Sequence, residues 1–409
     1  MALIVKKFGG SSVATPEKIY NIVNRVLRDK KEDDRIVVVV SAMGDTTDDL
    51  VSLAKQVTSR PYGREMDRLL STGEQITISL MSMAFMEKGQ PAVSMTGAQA
   101  GIVSSDNYGK GRILHIDPSR VFAALDEGNI VVVAGFQGIT DLGDITTLGR
   151  GGSDTTAVAL AGAMKADVCE IFTDVEGVYS TDPRIAPNAL KLPEITYGEM
   201  LEMARLGAGV MQPRAVEMGV RYGVPIHVRS TFSDNEGTMI REDYTMEENK
   251  RTVIGVADDT NVAKVSLIGV ENKPGVAHTI FQSLADKNVD VDMIVQSIRT
   301  VEDQVTDIVF TITRDDVVLA KEVMEELKQH IQMEDYSINE NMAKVSIVGA
   351  GMLGQPGIAA QMFGIFSQED INIEIISTSE ISVACLIDEA RVKDAIRAIH
   401  DNLVVNNRG

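Results

Sequence analysis

Along the first 230 residues, short apolar runs alternate with stretches whose apolar positions recur at helical spacing. ALIVKKF (2–8), RIVVVVS (35–41), PAVSM (91–95), NIVVVAGF (129–136), DVCEIFTD (167–174) and VPIHVRS (224–230) read as strands. Several are apolar at consecutive rather than alternate positions, the pattern of strands covered on both faces. Residues 1–230 are therefore expected to form one α/β domain, a mostly parallel sheet sandwiched by helices. The stretch 231–261 is polar and acidic with weak periodicity, and reads as a linker.

Beyond it the pattern repeats. AKVSLIGVENKPGVAHTIFQSLADKNVDVDMI begins at Ala263, and AKVSIVGAGMLGQPGIAAQMFGIFSQEDINIEII at Ala343. Lys264 matches Lys344, Gly269 matches Gly349, Pro274 and Gly275 match Pro356 and Gly357, Phe281 matches Phe363, and Val289 matches Ile371. Each copy reads as strand, Pro-Gly loop, helix, strand, then a further strand and helix, a βαββαβ plan over 262–338 and again over 342–409.

Composition narrows the function. Apolar residues at 44% and charged residues at 24% are those of a globular protein, and 409 residues exceed one compact core. A formal charge of −20 argues against nucleic acid and anionic membranes as partners, so an anionic ligand needs a local positive site. Cys169 and Cys385 stand far apart in strand-like runs, which favours buried thiols in a reducing compartment over a disulfide. The start, MALIVKKFGGSS, meets a Gly-Gly turn too soon for a signal-peptide core, and no window reaches a membrane span; a cytoplasmic location is expected.

Five stretches could carry chemistry. In KKFGGSS (6–12), Gly9 and Gly10 would let backbone N–H groups approach an anion, with Lys7 as the cation; the plain alternative is a turn. In TLGRGGSDTTAVALAGA (147–163), Ser153 could cap a helix packed through its alanines. Packing leaves Arg150 and the double glycine unexplained, and these fit a clamp for a carboxylate or phosphate. In REMDRLLSTGEQITISLMSMA (64–84), Met66, Leu69 and Leu70 read as core, while Glu74 is either a solvated residue or the anion that holds an ammonium group. FTDVEGVYSTDPR (172–184) follows a strand, where ligands meet open α/β sheets, or is a surface loop. SAMGDTTDDL, from Ser41, also follows a strand; Asp45 or Asp48 could cap the next helix instead.

GAGMLG (349–354) has the form of a dinucleotide fingerprint, with Glu374 in the expected place. The sister copy carries GVENKPG there and Pro356 interrupts the helix start, so a regulatory ligand loop is the better reading. Single, scattered histidines indicate neither a metal site nor a proton relay.

KFGGSSV (7–13), VVVSAMGDTTDDL (38–50), LLSTGEQ (69–75), TGAQAG (96–101), VAGFQGIT (133–140), TTLGRGGSDTTA (146–157), EIFTDVEGVYSTDPR (170–184) and the paired copies closely resemble aspartate kinases, in order across nearly the whole chain. The shape is that of the short bacterial form, an amino-acid kinase fold followed by two ferredoxin-like ACT domains. The resemblance implies transfer of phosphate from ATP to the β-carboxylate of L-aspartate, the first step toward lysine, threonine and methionine. It implies nucleotide contacts at Lys7, Phe8, Gly9, Gly10, Thr173, Asp174, Tyr179, Asp182, Pro183 and Arg184, with Lys191 as a further lysine toward the phosphates. Ser41, Thr47, Glu74, Arg150, Gly151, Gly152 and Ser153 correspond to the aspartate pocket, and Lys7 and Asp154 to the catalytic pair.

A β-carboxylate is already ionised at pH 7, so this chemistry needs no general base. The obstacle is one anion attacking another, overcome by alignment and charge neutralisation. Mg²⁺ is expected to ride mainly on ATP oxygens, with no metal site of the protein's own. The repeats are expected to bind lysine, threonine or both at an interface between subunits. The first copy would offer Asn272, Lys273, Pro274, Gly275, Val276, Ala277, Val291, Asp292, Met293 and Gln296; the second, Gln355, Pro356, Gly357, Ile358, Asn372 and Ile373. A homo-oligomer, dimer or tetramer, is expected through the repeats, and Met246 could start a shorter regulatory subunit. The rival readings are another kinase of the same fold and a catalytically dead amino-acid sensor.

Overall fold

The computed structural model describes residues 2–242, 251–298 and 305–406. Met246 lies outside the described residues. The chain divides into two compact units. The first comprises Met1–Tyr179, Lys191–Arg205 and Gly209–Met246; the second comprises Ser180–Leu190, Leu206–Ala208 and Glu247–Gly409.

The first unit is built on an eight-stranded sheet. Its spatial order is Glu194–Thr196, Thr238–Arg241, Ile226–Ser230, Val168–Thr173, Leu3–Phe8, Arg35–Val40, Ile130–Ala134, Ala92–Met95. All neighbours run parallel except Ile226–Ser230 against Thr238–Arg241. The consecutive apolar residues of Val37–Val40 and Ile130–Ala134 are buried on both faces, as their sequences require. From Leu3–Phe8 the chain adds Arg35–Val40 on one side and later Val168–Thr173 on the other. Strand order reverses there, which opens a crevice beyond the carboxyl ends of these strands.

A smaller sheet, Ile113–Ile116, Ile102–Ser104, Gln137–Ile139 and Ile145–Thr147, borders the same edge. Strands of three or four residues carry no readable period, so the sequence did not reveal it. The helical pattern of 64–84 is two helices, Arg64–Leu70 and Thr72–Glu87, broken at Ser71. Its burial also differs from expectation: Met66, Leu69 and Leu70 are only half-buried, while Asp67 is buried. The stretch 231–261 is not wholly irregular: Thr238–Arg241 joins the first sheet, and a strand of the second unit starts at Gly255.

The second unit carries one six-stranded sheet, ordered Val291–Ile298, Val305–Ile312, Gly255–Glu271, Asp335–Val348, Ser382–Asp388, Ile375–Thr378. The two long central strands belong to both repeats. Gly255–Asp259 pairs with Lys344–Val348, and Lys264–Ile268 pairs with Asp335–Asn339. The second repeat thus takes its last strand from upstream of the first repeat. The residues expected to form that strand at the C-terminus are helical instead, His400–Val405. The apolar helices Val276–Asp286 and Val317–Leu327 bury into one core, and Ile358–Gln368 and Val392–Ile399 into another. A reciprocal pair of ion contacts links the repeats: Lys264 Nζ lies 2.7 Å from Glu374, and its counterpart Lys344 lies 2.6 Å from Asp292.

Gly349–Gly354 follows a strand paired antiparallel on both sides and itself holds a single 3₁₀ turn, Ala350–Met352, so it is not the parallel βαβ setting of a dinucleotide loop. Cys169 and Cys385 are free and buried, and burial pushes the Cys385 thiol up to about 12. No helix among the described residues is long and apolar enough to cross a membrane.

Candidate active site

The crevice contains a cleft of about 300 Å³ lined by Lys7, Gly9, Gly10, Ser41, Ala42, Gly44, Thr47, Glu74, Phe136 and Gly149–Asp154. Residues from five separate motifs therefore meet in one place.

Lys7 is the next-to-last residue of its strand and lies in register with Val39 and Ile171. Its Nζ is 2.5 Å from Asp154 Oδ1, with both side chains largely buried. Asp154 occupies the first turn of the helix Gly152–Met164. There the unpaired amides and helix dipole favour negative charge, so the carboxylate holds the lysine without drawing it away from the cleft. Ser153 does not cap this helix. The N-cap is Gly151, left-handed at φ 69°, and Ser153 lies inside the first turn, where its hydroxyl accepts from Ser41 Oγ at 2.9 Å.

The turn after Phe8 is a single 3₁₀ turn, Gly10–Ser12. A Cβ on Gly10 would stand 3.0 Å from the Ala42 carbonyl, so glycine is needed for the close approach of two strand-end loops. Ser12 is buried with its hydroxyl 2.7 Å from Thr231 Oγ1, which takes it out of ligand binding. Phe8 is fully buried and stacked on Phe172 at 4.6 Å, so it can meet a ligand only through its backbone.

Glu74 stands in the first turn of Thr72–Glu87 and is 2% exposed. One carboxylate oxygen accepts the Ala42 N–H at 3.0 Å; the other is buried without a partner. Burial raises its pKa from 4.5 to about 7, because no cation offsets the desolvation. An unpaired acid facing a cleft is suited to an ammonium group, which would restore its charge. Arg150 is exposed at the rim. Thr47 lies in the first turn of Thr46–Val57, where Asp45 holds the N-cap position without a side-chain cap.

Sequence reasoning missed Phe136, Ala42, Gly44 and Gly149. Phe136 has φ 67°, a strained conformation for a non-glycine residue, and its ring would meet a Cβ on Gly152 at 2.9 Å. The glycines on either side of Phe136 were the available signal.

Thr173 and Asp174 sit at the end of the neighbouring strand, with Thr173 Oγ1 donating to Asp174 at 3.1 Å. Tyr179 and Lys191 form an isolated bridge at the neck where the chain leaves and rejoins the first unit. None of these four lines the Lys7 cleft. Asp182, Pro183 and Arg184 belong to the second unit, where Arg184 forks onto Asp182 and holds its carboxyl below the usual range. That segment is fastened within its unit by Ser180 Oγ to the buried His400 at 2.8 Å and by Asn188 to Asp401 at 2.7 Å.

Among the expected effector residues, Asn272, Lys273, Pro274, Gln355 and Pro356 are exposed. Gly275 and Gly357 start their helices in matching left-handed conformations, φ 99° and 101°. Ala277, Asp292, Gln296 and Asn372 are exposed, while Val291 and Ile373 are half-buried. Val276, Ile358 and Met293 differ: each is buried in an apolar cluster, which leaves its side chain little to offer a ligand.

A model of the amino acid kinase family matches residues 2–230, and a model of the ACT domain matches 265–327 and 345–403. The chain is 50% identical over 400 residues to an aspartokinase of Bacillus sp. (strain MGA3), covering 98% of this chain and 97% of that one. It is similar to the crystal structure of E. coli aspartokinase III in complex with aspartate and ADP (R-state), with a TM-score of 0.80, 26% identity, and 98% and 99% of the two chains covered. The same enzyme in complex with lysine and aspartate (T-state) matches with a TM-score of 0.76, 26% identity, and the same coverage.

Proposed function

The chain belongs to the aspartokinase family, and from that premise we propose a residue-level account of how it phosphorylates aspartate and how end products restrain it. It is an aspartate kinase with ATP as donor, and the product is 4-phospho-L-aspartate. In this reading Arg150 forks onto the α-carboxylate, Glu74 takes the ammonium group, and Ser41, Thr47 and the Gly151–Ser153 amides close around the substrate. The β-carboxylate then faces Lys7. The observation that carries the reading is the convergence in one cleft of a lysine paired to a helix-start aspartate and a buried glutamate with an unused oxygen.

Lys7 and the Gly9 and Gly10 amides neutralise the transferring phosphoryl, each acting in a site drier than bulk water. Asp154 keeps the lysine aimed. Magnesium, carried mainly on ATP oxygens, supplies further neutralisation of phosphate charge. Thr173, Asp174, Tyr179, Lys191 and the Asp182–Arg184 segment are assigned to the nucleotide. Lysine, threonine or both act at the repeats, with the exposed Pro-Gly loops as contacts; the lysine complex of the E. coli relative supports this class of effector. Such regulation requires different affinity for two states of the enzyme. The account further places the reaction at the head of lysine, threonine and methionine synthesis in the cytoplasm. It assigns a dimer or tetramer formed through the repeats, with a shorter subunit started at Met246.

A coupled assay for ADP release tests it. Turnover is expected with L-aspartate and not with L-glutamate, N-acetylglutamate or UMP, and inhibition by lysine and threonine is measured singly and together. Omission of magnesium should abolish turnover. Insensitivity to both amino acids would reduce the repeats to a role in assembly.

A further inference from the structure

Asp67 is 2% exposed and does not line the cleft. Its Oδ2 accepts the Thr147 N–H at 2.7 Å and the Gly109 N–H at 2.9 Å, and its Oδ1 accepts Thr147 Oγ1 at 3.0 Å. One residue along, the Leu148 carbonyl accepts from Arg214 Nη1 at 2.5 Å, while Nη2 of the same guanidinium donates to the Gly111 carbonyl at 2.8 Å. The two loops thus gripped are also bonded directly, Gly111 N–H to Thr147 O at 2.8 Å. A Cβ on Gly149 would approach the Gly109 carbonyl at 3.1 Å, so the loops lie backbone to backbone.

Burying a carboxylate is costly unless donors converge on it, and a guanidinium spread over two carbonyls holds both in one geometry. Here the contacts described above fall either on Thr147 and Leu148, which lead directly into Gly149–Ser153, or on Gly109 and Gly111 of the loop packed against them. We infer that Asp67 and Arg214 are positioning residues for substrate recognition: from either side of it in the sequence they fix the turn that carries Arg150. The inference rests on the reading of Arg150 as the α-carboxylate contact. Neither residue touches substrate in that reading; they set where Arg150 stands.

The test is steady-state kinetics of the full chain with aspartate and ATP varied separately, alongside thermal unfolding. Asp67→Ala and Arg214→Lys are expected to raise KM for aspartate about tenfold while KM for ATP moves less than about twofold. Asp67→Asn, whose oxygen can still accept from Thr147 and Gly109, should restore most of the affinity. Adding Asp67→Ala to Arg150→Ala should raise the aspartate KM no further, because both act through one guanidinium. If Asp67→Ala does not fold, Thr147→Val deletes one hydrogen bond alone and should show a smaller rise of the same kind. The inference is overturned if the variants lose kcat and melting temperature together at unchanged KM for aspartate. If Arg150→Ala raises that KM and no brace variant does, the brace fails and the role of Arg150 stands; if Arg150→Ala leaves it unchanged, both fail.

Discussion

Among the described residues, three helices begin at a glycine in the left-handed α conformation with no side-chain cap: Gly151 in the kinase unit, and Gly275 and Gly357 in the repeats. The backbone device is the same, and the surroundings are opposite. A Cβ on Gly151 would collide with Gln212 Cγ at 2.0 Å, whereas nothing lies within 4 Å of one on Gly275 or Gly357. The first turn is backed by packing against Gln212 and faces the cleft; the other two stand open. Phosphoryl transfer needs donors already in place, so a backed turn suits it. A loop that must report a ligand needs room to change state, and an open turn leaves that room.

The largest effect should come from the cleft. Lys7→Ala is expected to lower kcat by at least about a thousandfold, roughly 4 kcal/mol in barrier, in a chain that still folds, although Asp154 loses its buried partner. A loss of less than tenfold would mean the turn is backed for packing alone.

Glu74→Gln sharpens the contrast through pH. The folded pKa of about 7 lies above the ordinary 4.5, so the folded chain holds a proton that the unfolded chain has released, and stability falls as pH rises between those values. The span corresponds to about 3 kcal/mol at most. Urea titrations at pH 5 and pH 8 should show that penalty in the parent and not in Glu74→Gln. The same variant should raise KM for aspartate at pH 8, and in the parent that KM should climb as pH drops below 7.

Gly151→Ala should cost about 2 kcal/mol of stability and most of the activity, from strain plus the collision with Gln212. Gly275→Ala and Gly357→Ala should cost about 1 kcal/mol and leave effector-free kcat unchanged. Equal losses at all three positions would erase the comparison. The smallest effect is expected at the reciprocal ion contacts, where Lys264→Met and Lys344→Met should each change unfolding free energy by less than about 1 kcal/mol, since Asp292 remains exposed and Glu374 partly so.

The repeat was readable because Pro-Gly loops and a shared strand motif recur at matching positions, and the parallel sheet because Val37–Val40 and Ile130–Ala134 are apolar without alternation. The cleft was readable where a residue type contradicted its local setting, as with Glu74 and Arg150. What stayed hidden depends on distant pairing. Asp67 looks like a solvated helix residue until Thr147 and Gly109 are brought against it, and Phe136 like core until its φ of 67° is seen. The crossing of strands between repeats was equally invisible, since Gly255–Asp259 carries no mark of belonging to a partner so far downstream.

That crossing decides where the molecule can be cut. A fragment starting at residue 262 would keep the whole first repeat yet strip the second of an edge strand, leaving Lys344–Val348 paired on one side only, with Ser382–Leu386. One starting near residue 250 would retain all six strands and still lack Ser180, the hydroxyl that meets His400. Such a piece would be a finished sheet with one seam undone, and the solvent-opened imidazole is where dissection of this chain should first be felt.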